Sequence, residues 1–83
     1  MKVTIFATIT CPYCRELSEY LKTHNIPFDL LYIDQDEEAR RSQESESNGF
    51  LGVPFTLVEK DGQKQSVIGF DKAAIDRVLN IQS

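Results

Sequence analysis

Cys11 and Cys14 are the only cysteines in the chain, and just Pro12 and Tyr13 separate them. Thiols at this spacing can close into an intrachain disulfide and open again, so the pattern points first to redox exchange. Such exchange works best when the two sulfurs differ, one offered as a thiolate and the other held back until an intermediate forms. The flanking residues supply that difference. Val3-Thr4-Ile5-Phe6-Ala7 alternates β-branched and aromatic residues as a strand does, and the residues from Arg15 to about His24 read as a helix. Cys11 then sits at a helix N-terminus, where free N–H groups and the positive end of the dipole stabilise an anion. Cys14 lies one turn inward on the buried side and is expected to stay a thiol until it attacks a mixed disulfide on Cys11. Pro12 stiffens the turn, and Tyr13 offers a substrate an aromatic platform.

Two other readings stand beside this one. The pair could be small core residues, which the strand-to-helix junction and Pro12 argue against. It could also be half of a metal site. Two cysteines supply only two of zinc's four ligands, and His24 sits a helix-length away, where it reads as a helix C-terminal cap. A dimer sharing a metal or an iron–sulfur cluster through Cys11 belongs to the same alternative.

The bulk composition narrows the classes. Eighty-three residues, 41% of them hydrophobic, imply one small domain, residues 1–83, near the lower limit of what an apolar core supports unaided. A disulfide spanning residues three apart closes too short a loop to stabilise the fold. The formal net charge of -4 and the absence of a basic face argue against nucleic acid. No apolar run approaches the roughly 18 residues of a membrane span. The expectation is a cytoplasmic monomer, with a dithiol resting mainly reduced.

The elements that must position the cysteines follow in order. Lys2 to Ala7 is expected as an inner strand, with Val3, Ile5 and Ala7 on one face and Phe6 on the other. Cys14, Leu17, Leu21 and His24 share the inward face of the first helix, which Asn25 and Pro27 terminate. Phe28 to Ile33 reads as a second, buried strand parallel to the first. Asp34, with Glu37 three residues on, has the pattern of a capping box. The second helix, about Asp36 to Ser47, has Ala39 as its one apolar residue and is expected to lie solvated on the surface, or to dock a basic partner. Phe55 to Glu59 and Gln65 to Ile68 are strands joined by an Asp61-Gly62 hairpin turn. Asp71 caps a last helix that buries Ile75, Val78 and Leu79.

Thr10-Cys11-Pro12-Tyr13-Cys14, Val53-Pro54 and Gly69-Phe70-Asp71 together resemble the three motifs of the glutaredoxin family, in the family's order. The resemblance covers essentially the whole chain. It implies an α/β, minimal thioredoxin-like fold, βαβ-αββα, with a four-stranded mixed sheet and three helices. It implies catalysis of thiol–disulfide exchange by Cys11 and Cys14, and substrate or glutathione binding by Pro12, Tyr13, Val53, Pro54, Gly69, Phe70 and Asp71. By the same resemblance Pro54 follows a cis bond, Val53 offers its backbone to an extended thiol substrate, and Gly69, Phe70 and Asp71 receive the γ-glutamyl end of glutathione.

Two departures bear on the electron donor. Glutathione-using members usually carry Lys or Arg three residues before the first cysteine, where this chain has Thr8. They usually carry Thr before Val-Pro, often after a basic residue, where this chain has Leu51-Gly52. Arg15, Arg40 and Arg41 are the candidates to replace those charges. The pattern is similar to small bacterial glutaredoxin-like proteins and to the redoxins that feed ribonucleotide reductase. Disulfide-containing proteins are the implied substrates, with glutathione as co-substrate or a thioredoxin reductase as donor, and no bound cofactor or metal.

Overall fold

The computed structural model describes residues 1–81. Strand β1 (Lys2–Ala7) leads into helix α1 (Pro12–Thr23), strand β2 (Asp29–Tyr32) and helix α2 (Glu37–Glu46). Strands β3 (Phe55–Lys60) and β4 (Gln63–Ile68) and helix α3 (Lys72–Leu79) complete the fold. This is the expected order. The sheet runs β2-β1-β3-β4, with β2 parallel to β1 and the other two pairings antiparallel.

The alternation in β1 divides the interior. Val3, Ile5 and Ala7 join Leu17 and Leu21 of α1 and Ile75 and Leu79 of α3 in one cluster. Phe6 turns the other way onto Phe55 and Leu57. Burying side chains as large as Leu17, Leu21 and Ile75 contributes about 2 kcal/mol each, so α1 is fixed by its core face whatever its first turn does. The β3–β4 turn places Asp61 and Gly62 at φ 53° and 76°, the doubly left-handed geometry of a two-residue hairpin.

Three local expectations are corrected. Strand β2 is shorter than Phe28 to Ile33 and lies at the sheet edge, so Leu30 and Leu31 are only half-buried. Its apolar run serves two faces of an edge strand. The cap of α2 is Asp36, whose carboxylate accepts from the Glu38 N–H. Asp34 reaches back instead and accepts from the Ile9 N–H at 3.3 Å, steadying the loop before Cys11. Helix α2 also has more anchorage than its composition suggested. Both Ala39 and Gln43 are buried, and Lys64 of β4 pairs with Glu46 at 3.0 Å.

Candidate active site

All three motif segments leave the sheet at one end. Phe6 pairs with Phe55 across β1 and β3, and Phe55 pairs with Ile68 across β3 and β4. The loop after Ala7, the residues before Phe55 and the turn after Ile68 therefore emerge side by side. The first carries Cys11, the second Val53-Pro54, the third Gly69-Phe70-Asp71.

The first segment has the expected polarity. Cys11 is the N-cap of α1, with extended backbone and Pro12 in the first turn. Its Sγ accepts a hydrogen bond from the Cys14 N–H at 3.2 Å, and its own N–H donates to Thr8 O. A helix start thus points a free N–H at the outer sulfur, the arrangement that receives anions at helix N-termini. Cys11 is half-buried and Cys14 is buried, both as free thiols. Burial, reinforced by hydrogen bonding to Cys11, pushes the Cys14 thiol up to about 12 from its ordinary 9.0. Tyr13 stands 63% exposed beside them.

The Val53-Pro54 peptide is cis, and Pro54 is buried. Its carbonyl accepts from the Gly69 N–H at 2.8 Å, joining the second and third motifs directly. Gly69 has φ +76°, a conformation in which a Cβ meets no atom but is itself disfavoured. Asp71 caps α3 by accepting from the Ala74 N–H. Phe70 packs at the border of the main core, its ring 6.0 Å from that of Tyr20.

Tyr20 is a residue the sequence reading passed over. Its hydroxyl donates to Asp76 of α3, and Lys72 donates to the same carboxylate and lies 5.2 Å from the Tyr20 ring centroid. The ring of His24, the C-cap of α1, lies 4.4 Å from that of Tyr20. Tyr20 and Lys72 hold the Asp76 carboxyl below the usual carboxylate range, the tyrosine contributing most. The cluster pins the start of α3 to α1. Tyr20 packs at the margin of the core face of α1, and its partners Lys72 and Asp76 lie more than fifty residues away, so nothing in the local sequence marked it.

A cavity of about 160 Å³ opens on the β2 flank of the dithiol, where Cys11 and Cys14 share its wall with Thr8, Arg15, Lys22 and Tyr32. None of Tyr13, Val53, Pro54, Phe70 and Asp71 lines it. The cleft is thus distinct from the cis-proline loop, which leaves the sheet at the same end. Of the three arginines considered as substitute cations, Arg15 borders the cleft, while Arg41 is drawn along α2 to Glu37 at 3.2 Å.

Residues 3–62 match the model of the glutaredoxin family. The chain belongs to the glutaredoxin family. It is 36% identical over 77 residues to an uncharacterised glutaredoxin-like protein encoded in the rubredoxin operon of Clostridium pasteurianum, covering 93% of this chain and 96% of that one. It is 45% identical over 60 residues to mycoredoxin 1 of Corynebacterium glutamicum, covering 72% of each. Among solved structures, a thioredoxin-like protein determined as a point variant superimposes with a TM-score of 0.84 at 26% identity, over 98% of this chain and 97% of that one. The glutaredoxin-like NrdH-redoxin of Escherichia coli shares the fold at 22% identity, with a TM-score of 0.74 and 94% and 95% of the two chains covered. Members of this family are thiol–disulfide oxidoreductases, and this glutaredoxin-like chain is one. Among the described residues, no helix is long and apolar enough to cross a membrane.

Proposed function

We propose that this redoxin reduces protein disulfides and glutathione mixed disulfides by a dithiol mechanism. The Cys11 thiolate attacks one sulfur of the substrate disulfide, forming a mixed disulfide and releasing one substrate thiol. Cys14 then gives up its proton and attacks the Cys11 sulfur. The second substrate thiol leaves with a proton, and the protein retains the electron-poor Cys11–Cys14 disulfide. The observation that carries this assignment of roles is the asymmetry of the two sulfurs. Cys11 is partly accessible and accepts the Cys14 N–H, while Cys14 is 4% exposed with its thiol pushed up to about 12. Val53, Pro54, Tyr13, Gly69, Phe70 and Asp71 form the substrate side of the same end of the sheet, and the protein acts in the cytoplasm.

A second reading concerns the electron donor, and a specific observation favours it. At position 52, where glutathione-using relatives usually place Thr, a Cβ would lie 2.4 Å from the Phe50 ring. A side chain there would have to push aside the Phe50 ring, which occupies that space in the loop as folded. In this reading a thioredoxin reductase returns the electrons.

The deciding test is a coupled NADPH assay on the oxidised protein, with two donor systems side by side. One contains glutathione and glutathione reductase, the other thioredoxin reductase. Turnover with glutathione supports the first reading, with Arg15 as the first cation to replace in search of the compensating charge. Turnover with thioredoxin reductase alone supports the second. Turnover with neither would overturn the reductase assignment.

A further inference from the structure

We propose that Gln43 is a positioning residue for the substrate-pairing backbone at Val53. The inference rests on the disulfide-reductase reading and names a specificity element within it. Gln43 lies on α2 with no solvent exposure, on a helix whose only other buried residue is Ala39. Its Nε2 donates to Phe50 O at 3.3 Å and to Gly52 O at 2.7 Å. Both partners are acceptors, so the amide must turn its NH2 toward them. That leaves Oε1 buried with no partner among the described residues. An unpaired buried amide oxygen disfavours folding, and an apolar side chain of the same length would avoid it. The position therefore sacrifices packing quality for two hydrogen bonds to one loop.

That loop is the one that delivers Val53. The Ser47 hydroxyl, 2.5 Å from Phe50 O and 2.6 Å from the main-chain Gln43 O, shares its one proton between them and ties the loop to the end of α2. The Phe50 ring lies across Gly52, in the space a Cβ would need. Beyond the cis bond, Gly69 holds Pro54 O. Val53 is thus suspended between two anchors, α2 on one side and the turn into α3 on the other, and its own N–H and C=O take part in none of these bonds. A substrate strand that pairs with Val53 gains affinity only if that peptide is already in place. Gln43 fixes it from a helix that contributes no residue to the dithiol.

The test compares two substrates on the full-length protein. One is a peptide mixed disulfide long enough to pair with Val53. The other is dithiobis(nitrobenzoate), a small aryl disulfide that reacts at sulfur without backbone pairing. Gln43→Met keeps the length and removes the donors. Its KM for the peptide is expected to rise roughly tenfold, the effect of one to two lost hydrogen bonds, with peptide kcat and the aryl rate little changed. Equal losses on both substrates, or an unchanged peptide KM, would overturn the proposal. Should Gln43→Met fail to fold, Gln43→Glu carries the test. An ionised carboxylate there cannot donate, whereas a protonated one can, so the ratio of peptide to aryl rates is expected to recover on acidification. A ratio flat with pH would count against the clamp. A wild-type protein inactive on both substrates removes the reductase reading, and this inference with it.

Discussion

The amide of Gly69 donates to the carbonyl of Pro54 at 2.8 Å, and that one bond couples the turn into α3 to the residue after the cis peptide. It requires Gly69 at φ +76°, where a Cβ would touch nothing. Substitution there is penalised by conformation alone. Gly69→Ala is expected to destabilise the fold by about 1–2 kcal/mol, and Gly69→Asn by less, since Asn tolerates the left-handed region. Urea denaturation of the two variants measures both. Equal stability for all three proteins would remove the turn as a constraint on the loop.

The two cysteines are predicted to fail differently. Cys11→Ser should lower disulfide reduction by roughly a thousandfold or more, because the chemistry starts at that sulfur. Cys14→Ser should keep only reactions that pass through a glutathione mixed disulfide. Full reduction of a protein disulfide by the Cys14 variant would contradict its resolving role.

Protection of Cys14 also sets a pH dependence. Its folded-state value, about 12, lies above the ordinary 9.0. The reduced native state therefore holds its proton where the unfolded chain releases it, and the stabilisation is full below pH 9 and lost between 9 and 12. Denaturation of the reduced protein across that range should show the decline, with this part absent from Cys14→Ser. At pH 8, limited iodoacetamide should modify Cys11 and leave Cys14 intact by mass spectrometry. Equal labelling would argue against the difference in burial.

Asp76 predicts the opposite sign. Tyr20 and Lys72 depress its carboxyl, so their contribution is present above the ordinary carboxylate value and disappears as pH falls through the lowered one. Tyr20→Phe is expected to lower the melting temperature at pH 7 and to match wild type in strong acid. A difference that persists there would assign the effect to packing against Phe70 and His24.

What could be read from the sequence was local. The dithiol at a strand-to-helix junction, the hairpin at Asp61-Gly62 and the cap at Asp71 depend on neighbours within a few positions. Each stands where the residues placed it. Gln43 was invisible because a buried polar residue on a polar helix leaves no periodic trace. Its partners, Phe50 and Gly52, are known only once α2 is laid against the loop. Asp34 fails as the cap for a similar reason. Either could cap α2, and only the contact from Ile9 across the sheet end occupies Asp34. The cleft beside Cys14 joins β2 to α1, a juxtaposition of residues from Ala7 to Tyr32 that spacing along the chain does not describe.

Because the sulfur of Cys11 is itself the cap of α1, the helix begins on the atom that reacts. Once that sulfur is bonded to another, it is a poorer acceptor, and the Cys14 amide loses much of the bond it makes there. Oxidation state is thereby written into the first turn of the backbone. The nitrogen resonance of Cys14 becomes an internal gauge, readable without dye or label, of how much of the protein is spent.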